Sequence, residues 1–214
     1  MLSKRLKRVY DFIPLNNIVV DVGCDHGYLA IELIKSNKSP LVIATDNKKG
    51  PLAKAKSNIA LEGIDNRIKL VLTNGLNNVV DEFDVLTISG MGVYNIINIV
   101  ESSIEKLNDK IIIVQINKDP ITFREWLLSK KFRILDEDII CDTHHYHYFV
   151  FKTDNSNDKY SLDEVLFGKF NLHRMSHDFS SYLELEYLKL SMIDKKFLSN
   201  KQLSYLNSLN KLIY

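Results

Sequence analysis

Asp21, Gly23, Cys24, Asp25, His26 and Gly27 are packed into one short stretch, directly after the apolar run Ile18-Val19-Val20. A helical pattern follows through Tyr28, Leu29, Ile31, Leu33 and Ile34, so the order is strand, tight loop, helix. Gly23 lets the backbone turn and Gly27 lets something approach closely. Such a loop offers amide donors to a polar ligand at the helix N-terminus. Two cofactor classes compete for it. A dinucleotide wants G-x-G-x-x-G, but Asp25 and Tyr28 hold the second and third glycine positions. A carboxylate beside two phosphates is repelled. S-adenosylmethionine has no phosphate and carries a sulfonium and an ammonium. An acid-x-Gly-x-x-x-Gly loop suits it, with Asp21 facing its amino acid end. The structural alternative gives Asp25 only an N-cap.

Other polar residues fall where a ligand of this loop would reach. Asp46, with Asn47 after it, ends the apolar run from Leu41. An acid there hydrogen-bonds ribose hydroxyls, unless it is a plain surface-turn acid. Asn74-Gly75 follows the run Ile68–Leu72 and either meets an adenine edge or makes a simple turn. Gly90-Met91-Gly92 closes the strand pattern from Asp84 to Ser89 and permits close ligand approach, although Met91 alone reads as packing. Gln115 and Asn117 end Lys110–Asn117, the most continuously apolar strand and therefore placed centrally. His144, His145 and His147 invite a metal reading. They lack a carboxylate or cysteine at ligand spacing, so a polar hairpin without metal is expected.

These residues need a scaffold. The chain has 214 residues, 45% of them apolar, and a net charge of +1. That suits one globular domain with an appendage, and any nucleic acid must meet a local basic patch. Two unrelated cysteines argue against a disulfide framework. No run approaches membrane-spanning length and nothing reads as a signal peptide, so the cytoplasm is expected, with a monomer favoured. Residues 2–13 predict an amphipathic helix, with Leu2, Leu6, Val9 and Phe12 or Ile13 on one face. Lys4, Arg5, Lys7 and Arg8 crowd the remainder and are either solvated or in contact with phosphates. Alternation of strand, loop and helix predicts an α/β, doubly wound sheet. An antiparallel pair, 133–141 and 145–152, closes it. A polar linker at 154–159 leads to Tyr182, Leu185, Leu188 and Met192, then Leu203, Leu206, Leu209 and Ile213, both at helical spacing. A break at Ser199-Asn200 folds these into a coiled-coil-like helical hairpin, with the tyrosines and leucines as core. The division is 1–153 and 160–214.

The ordered pieces LSKRLKRVYDFIP, DVGCDHGYL, the GP of DNKKGPLAKAKSNI, NGL, ISGMG and REWL resemble the TrmK family. These are bacterial methyltransferases that modify ring nitrogen 1 of adenine 22 in tRNA. The resemblance implies S-adenosylmethionine, a Rossmann-like class I methyltransferase sheet, a tRNA acceptor and a C-terminal coiled-coil extension. It carries Gly23, Asp25, His26 and Gly27 over as loop positions, Asp46 as the ribose acid, and Gly75 with its predecessor as the adenine-side turn. Gly90, Met91 and Gly92 match the segment between cofactor and target. The sequence departs from the family pattern at Cys24 for serine, Asn74 for aspartate, Val93 for glycine and Ile116 for the proline of QPN.

Methylation of a ring nitrogen needs no strong base, because the lone pair is already present. Proximity and a negative field do the work. Asp25 is the candidate catalytic group, accepting from the exocyclic amine or taking a proton. Gln115 or Asn117 would bind an adenine edge. The N-D-PP-Y type signature of exocyclic-amine methylation is absent. A base inside folded tRNA must leave its stack. Lys4, Arg5, Lys7 and Arg8, with Lys195 and Lys196 behind them, are the phosphate candidates. The competing readings are a methyltransferase on another RNA or a small molecule, and a non-catalytic RNA-binding module.

Overall fold

The computed structural model describes residues 2–214. Its strands are β1 (Val19–Val22), β2 (Val42–Asp46), β3 (Ile68–Leu72), β4 (Val85–Met91), β5 (Ile111–Ile116), β6 (Phe132–Cys141) and β7 (His145–Asn155). Its helices are α1 (Lys4–Phe12), α2 (Tyr28–Lys35), α3 (Lys49–Glu62), α4 (Val93–Ser102), α5 (Pro120–Ser129), α6 (Leu162–Phe167), α7 (Lys169–Arg174), α8 (His177–Ser191) and α9 (Asn200–Ile213). The sheet runs β3-β2-β1-β4-β5-β7-β6. The first five strands are parallel, and β7 is antiparallel to both β5 and β6. The chain winds outward from β1 to β3, then returns to start again at β4. Between β1 and β4 lies the switch point where α/β sheets hold ligands, at the carboxyl ends of the strands.

Helices cover both faces, which is why the inner strands are continuous apolar runs. One core packs α4 and α5 against the sheet through Val93, Ile96, Val100, Phe123 and Leu127. The other packs α1, α2 and α3 through Val9, Ile13, Leu29, Leu33, Ala55 and Ile59. β5 is interior as expected, beside β4, the middle strand of the seven. The strand pattern ending at Ser89 extends through Gly90 to Met91, with a register shift between Ser89 and Met91.

Ser3 caps α1, its hydroxyl accepting from Leu6 N at 3.3 Å. The helix ends at Ile13, which Pro14 holds in an extended conformation. Its cations find partners on the protein. Lys4 donates to Cys141 O at 2.5 Å and Lys7 pairs with Asp11. Arg8 lies 2.6 Å from Asp138 and covers the Phe12 ring. The helix is packed on the sheet, and Lys4 and Lys7 stay largely exposed beside their carboxylate partners.

The C-terminal helices hold two departures from expectation. α6 and α7, six residues each, are too short for periodicity to reveal. Their one sequence signal was Ser161-x-x-Glu164, which forms a complete capping box. A second capping box, Ser199 with Gln202, starts α9 at the anticipated break. In α8 the buried face is Phe179, Tyr182 and Leu183. Leu185 and Leu188 face solvent and Met192 is 83% exposed, so that stripe is not core. Its spacing drifts off the face that meets β6. His145 and His147 share a face, as strand geometry requires, but they lie under Tyr182 at ring separations of 5.6 and 5.0 Å. They are packing residues of this junction, and no group of metal-ligand type clusters among the described residues.

An ion pair ties sheet to appendage. Arg124 of α5 meets Glu137 of β6 at 2.6 Å, with both side chains almost wholly buried. Arg124 Nη1 also donates to Val165 O at 2.7 Å, and Arg174 Nη1 to Glu137 O at 2.7 Å. Gly168, at φ +93°, leaves room for this cluster. A Cβ there would sit 2.8 Å from Asn171 Nδ2 and 2.9 Å from Arg124 Nη2.

Two stability predictions follow from this junction. Arg124→Met strands a buried carboxylate and should cost about 3–5 kcal/mol in denaturant unfolding, much of it recovered in Arg124→Met/Glu137→Leu. Burial pushes the His147 pKa down to about 3, whereas an unfolded histidine protonates near the ordinary value of 6.5. Acidification below pH 6.5 therefore favours the unfolded chain. His147→Gln should flatten the stability–pH slope in that window by up to about 1.4 kcal/mol per pH unit.

Candidate active site

The loop after β1 is fixed by its neighbour. Gly23 N and Cys24 N both donate to Thr45 O at 2.9 Å, and Gly27 N donates to Cys24 O at 2.8 Å. These three amides therefore serve the fold, which leaves those of Asp25, His26 and Tyr28 as the loop's donors toward a ligand. Gly23, at φ +76°, takes a backbone conformation that favours glycine, and a Cβ there would displace the Met91 methyl, 2.5 Å away. Gly27 N-caps α2 without a side-chain hydrogen bond. Its missing Cβ admits Ala55 of α3, at 3.2 Å from where that atom would lie. The close approach expected at Gly27 is thus made by a helix.

Asp25 does not cap α2, which removes the purely structural role considered for it. It stands at φ 49° with its side chain 67% exposed, 3.6 Å from His26 Nε2. Asn58 Nδ2 of α3 donates to His26 O at 3.0 Å and holds the far side of the loop.

A cleft of ≈ 750 Å³ opens at the carboxyl ends of β1, β2 and β4. Of the residues singled out from sequence, Asp21, Gly23, Cys24, Asp25, His26, Asp46, Asn47, Asn74, Gly75, Gly90 and Met91 line it. Gly27 and Gly92 are not among its lining residues. Gly92 instead N-caps α4. Asp21 is buried, and Thr87 Oγ1 donates to its Oδ1 at 2.8 Å. Burial raises its pKa to about 6, against the opposing effects of the Thr87 hydrogen bond and the Arg5 charge. Burial also raises the Cys24 pKa, so that thiol stays neutral. Asp46 Oδ1 accepts from Lys48 N at 2.9 Å, a local turn that fixes the carboxylate at the cleft edge. Asn74 and Gly75 sit in a turn closed by Asn78 N donating to Thr73 Oγ1 at 3.2 Å.

Sequence reasoning missed Asn95, Asn98 and Ser102, which line the cleft from α4. Asn95 and Asn98 at i, i+3 on the otherwise apolar helix VYNIINIVES were the available signal. It also missed the cleft placement of Arg5. A second cleft of ≈ 1140 Å³ lies between α8–α9, the β6–β7 turn and the β5–α5 connection. Asn117, Lys118, His144, Tyr146, Lys189 and Lys201 are among its walls, and Arg5 and Gly90 line both clefts. Gln115 is buried between β4 and α1, where it joins Arg5, Gly90 and Asn117 by hydrogen bonds.

The chemistry of the first cleft is that of a receptor for cations and hydroxyls. Three carboxylates, Asp21, Asp25 and Asp46, surround a space flanked by asparagine amides. A pyrophosphate would be repelled there, whereas a sulfonium or ammonium would be attracted.

Comparison with known proteins agrees with this chemistry. A family model described as a methyltransferase domain matches residues 2–150. The chain is 34% identical over 141 residues to the tRNA (adenine(22)-N(1))-methyltransferase of Bacillus subtilis. That match takes in 65% of this chain and spans 59% of the length of the Bacillus protein. Among solved structures, a Streptococcus pneumoniae protein in complex with S-adenosyl-L-methionine superposes with a TM-score of 0.91 at 30% identity, covering 100% of both chains. TrmK of M. capricolum, in complex with S-adenosyl-homocysteine, superposes with a TM-score of 0.83 at 31% identity, over 99% of this chain and 96% of that one. With a methyltransferase-domain match over most of its length and whole-chain likeness to these structures, the chain belongs to the methyltransferase-domain family and, within it, to the TrmK group.

Proposed function

We infer that this protein transfers a methyl group from S-adenosylmethionine to ring nitrogen 1 of adenine 22 in tRNA. The observation that carries the reading is the carboxylate-lined cleft beside a second, larger cleft, with Arg5 and Gly90 lining both. One holds a cationic donor and the other admits an acceptor.

The residues present fit S-adenosylmethionine. Asp46 would bind the ribose hydroxyls, Asn74 and Gly75 would border the adenine, and Asp21 would face the ammonium. The buried carboxylate of Asp21 has no ion-pair partner among the described residues, so a cationic ligand offers it the charge it lacks. Bound there, the cofactor supplies an activated methyl group.

The chain's own part is to place and hold. Met91 and Gly90 form the wall between donor and acceptor, where Gly90 permits close contact. Gln115 and Asn117 orient the acceptor base. Asp25, exposed in the donor cleft, supplies a negative field that favours the cationic methylated adenine. It also accepts from the exocyclic amine if the base reaches past Gly90. Stabilisation of this kind fits a ring nitrogen, which needs no deprotonation before attack.

The grip on tRNA phosphates lies chiefly at the second cleft and the α8–α9 connection, with the exposed Lys4 and Lys7 of α1 as further candidates. Lys189, Lys195, Lys196 and Lys201 are exposed there. Residues 160–214 thus form an RNA-binding domain beside the methyltransferase domain of 1–153. No described helix is long and apolar enough to cross a membrane. The reading places the protein in the cytoplasm as a monomer.

Methyl transfer from labelled donor to unmodified tRNA, with the product mapped, tests this reading. The label should appear at ring nitrogen 1 of adenine 22, and transfer elsewhere or nowhere overturns it. Asp46→Ala should weaken donor binding at least about tenfold in calorimetry. Asp25→Asn and Asp25→Ala should lower kcat by about a hundredfold; full turnover in both removes Asp25 from the chemistry. Donor affinity should decline as pH drops through about 6, where Asp21 takes up a proton and loses its charge. In Asp21→Asn it should be weak and flat across that range. Replacing Lys195, Lys196 and Lys201 together by alanine should reduce the salt dependence of tRNA binding, and an unchanged slope excludes them from the interface.

A further inference from the structure

Arg5 differs from the other cations of α1. Lys4, Lys7 and Arg8 each meet a carboxylate, whereas no carboxylate lies within ion-pair distance of Arg5 among the described residues. Its guanidinium Nη1 donates instead to Gln115 Oε1 at 2.8 Å. The same oxygen accepts from Gly90 N at 3.0 Å. The helix is pinned at this point by Tyr148, whose hydroxyl donates to Arg5 O at 3.0 Å. Gly90 makes room for the arrangement, since a Cβ there would come within 3.2 Å of Arg5 Nη1.

The bonding leaves no freedom in the amides. Guanidinium and backbone N–H are donors only, so the Gln115 atom facing them must be its oxygen. Its Nε2 then points the other way and donates to Asn117 at 2.9 Å. Asn117 must accept there through Oδ1. Its Nδ2 is left at the mouth of the second cleft, 3.5 Å from Gly90 O, too long to satisfy either group.

We propose that Arg5 is a positioning residue for the acceptor base: acting through Gln115, it fixes Asn117 with Nδ2 outward, beside the Gly90 carbonyl. A donor and an acceptor side by side match the edge of adenine that carries ring nitrogen 7 and the exocyclic amine. Guanine presents two acceptors on that edge and would oppose the Gly90 carbonyl. Adenine held in this way keeps ring nitrogen 1 unbonded. The proposal rests on the adenine acceptor argued above and adds the edge by which it is held. It also moves Arg5 from a phosphate contact to a determinant of base specificity.

Gln115→Glu is the discriminating variant. Its carboxylate still accepts from Arg5 and Gly90, but it cannot donate to Asn117. Asn117 then turns Nδ2 toward the new acceptor and shows Oδ1 to the cleft. The acceptor KM should rise by about tenfold or more while the donor Kd stays within about twofold. Arg5→Met should raise the acceptor KM likewise, and Arg5→Lys, which keeps a donor, should recover part of that loss. An unchanged acceptor KM in Gln115→Glu, or an Arg5→Met defect confined to donor binding, overturns the proposal. Side-chain amide exchange by NMR reads the lock without turnover. The Gln115 and Asn117 amide protons should exchange faster in Arg5→Met, and equal rates would show that there is no lock. Wild-type protein inactive on unmodified tRNA would overturn the adenine-22 reading and the edge assigned to the base. The exchange measurement would still decide whether Arg5 orders the amides.

Discussion

The carbonyl oxygen of Thr45 holds this site together. By accepting from two successive amides of the neighbouring loop, it makes the end of β2 and the turn after β1 a single unit. Asp25 reaches the cleft from that turn, Asp21 from β1 just before it, and Asp46 follows Thr45 directly, so this backbone contact ties the loop carboxylate to the strand that carries Asp46. Met91 fills the space that Gly23 leaves, which brings β4 into the same assembly. The cost appears at Asp21, a carboxylate kept in an apolar surrounding with one hydroxyl for company. A charge held that way is poised for a cation and poorly suited to anything else.

The two clefts share Arg5 of α1 and Gly90 of β4 as lining residues. This helix is a strut across the domain. Its inner face builds core through Val9 and Ile13, Lys4 and Arg8 fasten it to β6 and α8, and the Arg5 carbonyl accepts from Tyr148 of β7. Lys4 reaches both the end of β6 and Asp178 of α8, so the same short helix spans from the methyltransferase sheet to the helical appendage.

How much of this was legible in the residues depends on range. The sheet, its order of elements and most of the first cleft came from local signals: apolar runs, glycine turns and acids at strand ends. Those signals suffice because parallel strands with helices on both faces leave few topologies. What stayed hidden depends on contacts distant in sequence. Nothing near Arg5 announces Gln115, and nothing near Arg124 announces Glu137. Asn95 and Asn98 were passed over because a helix pattern was read for its apolar face alone. The stripe Leu185, Leu188 and Met192 misled for the opposite reason: helical spacing says which residues share a face, but not whether anything covers that face. The histidine group kept its predicted strand geometry yet proved to be packing, since the ring that buries it comes from α8.

Gly168 has a bearing on how such a molecule can change over evolutionary time. The side-chain space it lacks is occupied by groups from α5, β6 and α7 together, so the bend there is shaped by both halves of the chain. The appendage is for that reason not a transferable module. A chimaera joining these helices to a foreign core would also need the matching arginine and glutamate, and a family keeping the bend must drift at all of these positions in concert.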